Sequence, residues 1–244
     1  MDFASSTNPT CPAKPNTTYY ASMIRLSLAF ALSISLTLTA WADITIVQKL
    51  ETPDGDKLTG DITISAKKSK TRVDMGSEMS TISDDQTKKV ITLVHGQKMA
   101  LEMPAEAVAQ MEAQIKAANA EELAPDAFKA TGRKETINGF ECAEYTFQIK
   151  GQEVTSWFAE SLKQNAQVAA AFEELSKSSN PMASSLAQFE AMPGIPIRTE
   201  VEIPGSGMTT VTVQKISTDT IPASVFEIPS GYRSLQMPAI PKPN

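Results

Sequence analysis

Ile44-Thr45-Ile46-Val47-Gln48-Lys49-Leu50, Thr52-Pro53-Asp54-Gly55-Asp56 and Leu58-Thr59-Gly60-Asp61-Ile62-Thr63-Ile64-Ser65-Ala66 decide the fold class of this chain. Ile44, Ile46, Gln48 and Leu50 share one parity, and Leu58, Gly60, Ile62, Ile64 and Ala66 repeat it. A period of two puts such residues on one face of a strand. The middle segment is turn chemistry: proline presets φ, and glycine takes φ > 0 without steric cost. Two alternating runs joined by a short turn form an antiparallel pair, because a parallel pair needs a crossover of about a dozen residues.

The same pattern continues outward. Thr71–Met75, Ser80–Asp84, Lys88–Val94 and Lys98–Met103 read as short strands, with turns at Asp84-Asp85 and His95-Gly96. Pro104 opens a helix, since its missing N–H has no helical partner at that position. Val108, Met111, Ile115 and Ala118 give that helix one apolar stripe. Strands return over Phe128–Thr136, Cys142–Lys150 and Glu153–Ala159, the first pair joined by Asn138-Gly139, a strong hairpin signal. A second helix is expected over Leu162–Lys177, on Val168, Phe172 and Leu175, and a third, short one around Met182, Leu186 and Phe189. Ile197–Ile203 and Met208–Ser217 make a last hairpin around Pro204-Gly205-Ser206-Gly207. Val225, Phe226, Pro229 and Tyr232 are expected to dock on the sheet, and residues 233–244 to form a flexible, Pro-rich tail. The fold class is α+β: one curved antiparallel sheet, a half-barrel, with helices covering one side.

Ahead of this domain, residues 43–232, lies a leader. Met23-Ile24-Arg25 is positive, Leu26–Thr39 is uncharged and largely apolar, and Ala40-Trp41-Ala42 is an A-x-A pattern. This is the layout of a secretory signal peptide cleaved between Ala42 and Asp43. The apolar run is shorter than the roughly 20 residues that span a bilayer. No transmembrane anchor is therefore expected after cleavage. Residues 1–22 are read as a mis-assigned or disordered extension ahead of Met23. No cysteine directly follows the apolar run, so a lipid-anchoring site is missing. A periplasmic or extracellular location follows from this reading.

Removing Lys14, Arg25 and Asp2 with the leader takes the formal net charge from −6 to −7. So acidic a chain is a poor partner for nucleic acid, whose phosphates need clustered Lys and Arg. Lys67-Lys68-Ser69-Lys70 is read as a solvated hairpin turn. Cys142 is the one cysteine left and reads as a small buried apolar residue. His95, the one histidine, reads as a surface turn residue, because no orienting acid or nucleophile is signalled beside it. Zinc-ligand spacings, phosphate-binding loops and dinucleotide fingerprints are lacking, so neither a metal nor a cofactor is expected. Gly205-Ser206-Gly207 is flanked by strands and is not a nucleophile elbow. Glu121-Glu122 and Glu173-Glu174 read as solvated faces. Methionine stands out: 75, 79, 99, 103, 111, 182, 192, 208 and 237 remain after cleavage. Core filling, a soft apolar ligand surface and copper capture by thioethers all use this residue, and no tight cluster in the sequence favours the last.

Thr131-Gly132-Arg133-Lys134-Glu135-Thr136-Ile137-Asn138-Gly139-Phe140-Glu141-Cys142-Ala143-Glu144-Tyr145 resembles, together with Trp157-Phe158-Ala159, Gly194-Ile195-Pro196 and Phe226-Glu227-Ile228-Pro229-Ser230-Gly231-Tyr232, the bacterial domain of unknown function family 4412. That family is similar in turn to the periplasmic lipoprotein-carrier and lipoprotein-receptor (LolA/LolB-like) fold. The resemblance implies a half-barrel lidded by helices that holds acyl chains. The leading expectation is thus a non-enzymatic protein binding a lipid or acyl chain in the concave face of the sheet. Met99, Met111, Phe147, Trp157, Phe172 and Met208 are the expected lining residues. The alternatives are an envelope protein–protein interaction or scaffold module without a cavity, and a hydrolase in which His95 or Cys142 meets a carboxylate.

Overall fold

The computed structural model describes residues 43–53, 60–118, 127–149, 151–176, 178, 180, 191–203 and 207–236. All belong to one compact unit, Trp41–Asn244. The expected third helix around Met182–Phe189, the leader and the last tail residues lie outside the described residues.

Among the described residues, twelve strands form one curved, open sheet. They are β1 (Ile44–Glu51), β2 (Gly60–Lys67), β3 (Lys70–Met75), β4 (Met79–Asp84), β5 (Lys89–Val94), β6 (Met99–Glu102), β7 (Lys129–Ile137), β8 (Phe140–Ile149), β9 (Gln152–Ala159), β10 (Ile195–Ile203), β11 (Gly207–Ser217) and β12 (Arg233–Gln236). The order is β12-β6-β5-β4-β3-β2-β1-β11-β10-β9-β8-β7. Every pairing is antiparallel except β12 on β6. The expected antiparallel sheet is thus present, and it dominates the structure more than a half-barrel roofed by helices does.

Turn chemistry acts as read. Asn138 and Gly139 both take positive φ, 49° and 86°, as a two-residue hairpin turn demands. Asn138 Nδ2 also donates to the Val213 carbonyl at 2.9 Å, tying this hairpin tip to β11. Lys67–Lys70 is a hairpin turn with Lys68 at φ 54°. Register shifts interrupt β1–β11 at Val47/Gln48, β10–β9 at Pro196/Arg198 and β7–β8 between Ala130 and Lys134. Such bulges bend the strand and increase its twist.

Three helices are described: α1 (Ala105–Ala118), α2 (Glu160–Gln164) and α3 (Ala166–Ser176). The single helix expected over Leu162–Lys177 is broken at Asn165. Asn165 has an extended backbone, and its Oδ1 accepts from the Gln167 and Val168 N–H groups at 3.1 and 3.2 Å. Asparagine is a strong N-cap, so it starts α3 rather than continuing α2.

Val168, Ala171, Phe172 and Leu175 of α3 bury their stripe in the largest cluster, with Ile44, Ile46, Ile62, Ile64 and Val73. The opposite face of the same sheet region is also covered, not by an α-helix but by the C-terminal segment, whose Val225, Phe226 and Tyr232 dock on the sheet as expected. Val73 pairs with Thr81 and Arg72 with Ile82, so Val73 and Ile82 point to opposite faces. Ile82, Leu93 and Ala100 pack under Ile221, Val225, Phe226 and Tyr232 of the C-terminal segment. That segment is a strap. Asp43 Oδ2 accepts from the Ile221 N–H, Lys67 Nζ donates to the Ile221 carbonyl, and Arg72 donates to the Val225 carbonyl, at 2.7–2.9 Å. Arg233–Gln236, assigned to the tail from sequence, is instead strand β12, and Arg233 N–H donates to the Lys98 carbonyl at 2.9 Å. Among the described residues no helix is long and apolar enough to cross a membrane.

Candidate functional site

Phe158 and Trp157 are neighbours on β9 and point to opposite faces, yet Ser156–Ala159 are all buried. The sheet is thus packed on both sides here. Phe158 stands edge-on to Phe128 and Tyr145, with centroids 5.7 Å apart in each pair, and joins Phe147, Val154 and Val201. Trp157 enters the large cluster with Ile195, Ile197 and Phe172.

Beside this doubly covered strand lies a cleft of about 420 Å³, lined by Lys134, Glu135, Thr136, Glu141, Cys142, Ala143, Phe158, Glu160 and Ser161. Its residues come from β7, β8, the end of β9 and the start of α2. Register explains their meeting: Lys134 faces Ala143, Ala143 faces Phe158, and Glu135 faces Cys142. Gly194 makes room at the neighbouring corner, since a Cβ there would lie 2.8 Å from the Ala159 and Glu160 backbone. Phe158, Ala143 and Cys142 supply apolar surface, and the other lining side chains carry charge or hydroxyl groups.

The rim is tied to the sheet. Glu135 accepts from Arg198 at 3.2 Å, and the Arg198 guanidinium lies 5.2 Å from the Trp157 ring centroid. Glu160 accepts the Tyr145 hydroxyl at 2.8 Å, which together with burial holds that hydroxyl above its usual pKa. Arg133 pairs with the buried Glu144, its Nε donating at 2.9 Å. Cys142 is buried, and its thiol donates to the Phe140 carbonyl at 3.4 Å. Burial pushes its pKa up to about 11. The thiolate is the nucleophile, so iodoacetamide labelling of Cys142 is expected to be slow at pH 8 and to rise about tenfold per pH unit toward pH 11. Mass spectrometry of a C11S chain reads this rate; fast labelling at pH 8 would show that the thiol is not buried as described.

The residues expected to line a ligand site do not converge. Phe147 belongs to the aromatic cluster around Phe158, and Trp157 and Phe172 belong to the large cluster. Met208 is half-exposed at the start of β11, Met99 lies on β6 near the far edge, and Met111 lies on α1. The face of the sheet that carries Trp157 is packed by α3 side chains. Instead, the cleft combines residues of the Lys134–Ala143 hairpin, Cys142 among them, with Phe158, Glu160 and Ser161. Their clearest signal was the Lys134–Ala143 hairpin itself.

His95 is not a bare turn residue. It begins a short 3₁₀ turn, His95–Gln97. Its Nε2 lies 2.7 Å from Ser80 Oγ and its Nδ1 2.5 Å from the Tyr232 hydroxyl. Ser80 Oγ donates to Asp74 Oδ1 at 2.5 Å and accepts from Arg72 at 3.1 Å, while Arg72 Nε donates to Asp74 at 2.7 Å. A hydroxyl has one proton and two lone pairs. The Asp74 carboxylate can only accept, so it takes the Ser80 proton. His95 must then donate through Nε2, and its Nδ1 is hydrogen-bonded to the Tyr232 hydroxyl. A nucleophilic serine gives its proton to histidine; here the proton points away and Ser80 is fully buried. The Ser–His pair is arranged as a clasp for the strap. Among the described residues, no group of three His, Cys, Asp or Glu side chains is placed to hold a metal ion.

Comparison with known proteins adds the family. No curated protein matches the chain in sequence. Two structures of a protein named PNGF-II, in C2 and P2₁ crystals, match 80% of this chain at 10% identity, with TM-scores of 0.39 and 0.37. The match spans only 31% and 32% of those chains. A LolA superfamily protein from Nitrosomonas europaea matches 77% of this chain and 90% of its own at 8% identity, with a TM-score of 0.18. A family model matches residues 47–232, three-quarters of the sequence, and by that match the chain belongs to the family described as Domain of unknown function (DUF4412).

Proposed function

We propose that this is an exported, non-catalytic binding protein whose ligand is a small amphiphile of the lipid or acyl-chain kind, seated in the cleft between β7, β8, β9 and α2. The cleft carries this reading. Its volume of about 420 Å³ falls in the range of roughly 300–1,000 Å³ typical of small-molecule sites. Phe158, Ala143 and Cys142 suit an apolar chain, and Lys134, Thr136, Glu141 and Ser161 offer polar partners for a head group. Export rests on the leader ending at Ala42 and is tested by the N-terminal sequence of the protein recovered from the periplasm.

Trp157 supplies the readout, because Arg198 links its ring to Glu135 on the cleft rim. In a W41F chain it is the only indole. Titration with lauric acid below its micelle concentration is expected to give a saturable change in Trp157 emission. A143F, which fills the cleft, is expected to weaken it at least tenfold. Absence of saturation, together with a native mass spectrum free of bound lipid, would overturn the proposal. The protein-docking alternative has one observation behind it: residues Lys129–Thr136 of edge strand β7 are all exposed. Lys129, Arg133, Lys134 and the register shift at Ala130–Lys134 blunt that edge against strand addition, so the cleft is preferred.

A further inference from the structure

Methionine is the unusual feature that the cleft does not use. Directly opposed residues of antiparallel strands project from one face, with Cβ atoms about 4.5–5.5 Å apart. Met75 of β3 faces Met79 of β4, Met79 faces Val94 of β5, and Val94 faces Met99 of β6. Three thioethers therefore stand in one lateral row across four strands, beside the β3–β4 and β5–β6 turns. The sequence hides this row, because Met99 lies twenty residues beyond Met79. Met75 packs against the large cluster. Met79 is 37% exposed, and Met75 and Met99 are half-buried. Core filling accounts for Met75 but less well for Met79, which is exposed.

From this we infer that Met75 and Met79, with Met99 reaching across Val94, form a capture site for a soft monovalent cation of the Cu(I) class. Thioether sulfur is neutral and polarisable, and such ligands select Cu(I) over the hard, oxygen-seeking Mg²⁺ and Ca²⁺. Two sulfurs borne on Cβ atoms about 5 Å apart can hold one ion between them. Met99 starts two strand spacings, about 9.6 Å, from Met79. Its flexible side chain can lean over the shorter Val94 toward the pair. No proton leaves a thioether on binding, so this site keeps its ligands at acidic pH, where cysteine and histidine sites lose theirs. The ion binds and leaves as Cu(I), with no electron transferred.

The test uses a full-length C11S/C142S chain, which removes both thiolates as competing soft ligands. Anaerobic Cu(I) is titrated against a chromophoric Cu(I) chelator, and Ag(I), which is redox-silent, is followed by native mass spectrometry. One ion per chain is expected. M75L/M79L is expected to weaken Cu(I) binding at least a hundredfold, and M99L about tenfold. Leucine conserves the volume of methionine and costs less than about 1.5 kcal/mol, so the variants should fold; urea midpoints check this. In the methionine-bearing chain, Ag(I) should shift the ε-methyl NMR signals of Met75 and Met79. The inference is overturned by absence of binding, by unchanged affinity in M75L/M79L, or by methyl shifts confined to other methionines.

Discussion

Phe158→Ala is expected to lower the unfolding free energy by about 3–5 kcal/mol, the range for deleting a fully buried aromatic side chain. Phe158 is 1% exposed. Its ring stands edge-on to Phe128 and Tyr145 and lies 6.4 Å from Phe147. Edge-on pairs add about 0.5–1.5 kcal/mol beyond area burial, which places this substitution toward the top of the range. On either side β9 pairs with β8 and β10, so the surrounding backbone cannot collapse into the space. Phe158 also lines the cleft, and truncation should enlarge it. Urea unfolding measures the first effect, and Phe158→Leu, expected to cost far less, separates lost volume from lost aromatic contact. A loss below about 1 kcal/mol for alanine would mean that the aromatic cluster is not the packed unit described here.

Much of this architecture was legible because period and turn chemistry are local signals. Alternation in Ile44–Leu50 and Asn138-Gly139 each specify a strand or hairpin from a few adjacent residues. The cleft was not legible, because choosing lining residues by type ignores which face each occupies. Glu144 faces Trp157, while Phe147 faces Val154, and positions 144 and 147 differ by an odd step. Phe147 and Trp157 therefore lie on opposite faces of adjacent strands and pack into separate clusters. Register shifts at Val47/Gln48 and Pro196/Arg198 change the parity again. The Met75–Met79–Met99 row and the Tyr232–His95 contact join residues distant in sequence through lateral pairing or the strap, and no local pattern encodes either. Asn165 was readable in principle: an asparagine within a helical stripe is a better cap than helix interior.

Ser80→Ala tests the strap more sharply than any loss of apolar surface. Ser80 is fully buried, and its hydroxyl fills all three of its hydrogen-bonding positions with Asp74, Arg72 and His95. Alanine leaves the His95 N–H without its acceptor and Asp74 without one of its donors. Both groups are only half-buried and Asp74 keeps Arg72, so each loss falls at the low end of about 1–3 kcal/mol, and a total of about 2 kcal/mol is expected in urea unfolding. The loss should fall partly on the strap, because Tyr232 is held by the other nitrogen of the same ring. Arg233, exposed and next in sequence, then becomes a faster trypsin site than in the unsubstituted chain. Tyr232→Phe removes the far end of the relay and should cost less, about 1 kcal/mol. The double variant separates a relay from two independent contacts: linked groups fall short of additivity by at least about 0.5 kcal/mol, while independent ones add. Additive losses with unchanged cleavage at Arg233 would reduce the cluster to separate hydrogen bonds, leaving the strap to its apolar packing, its Asp43, Lys67 and Arg72 contacts and the β12–β6 pairing.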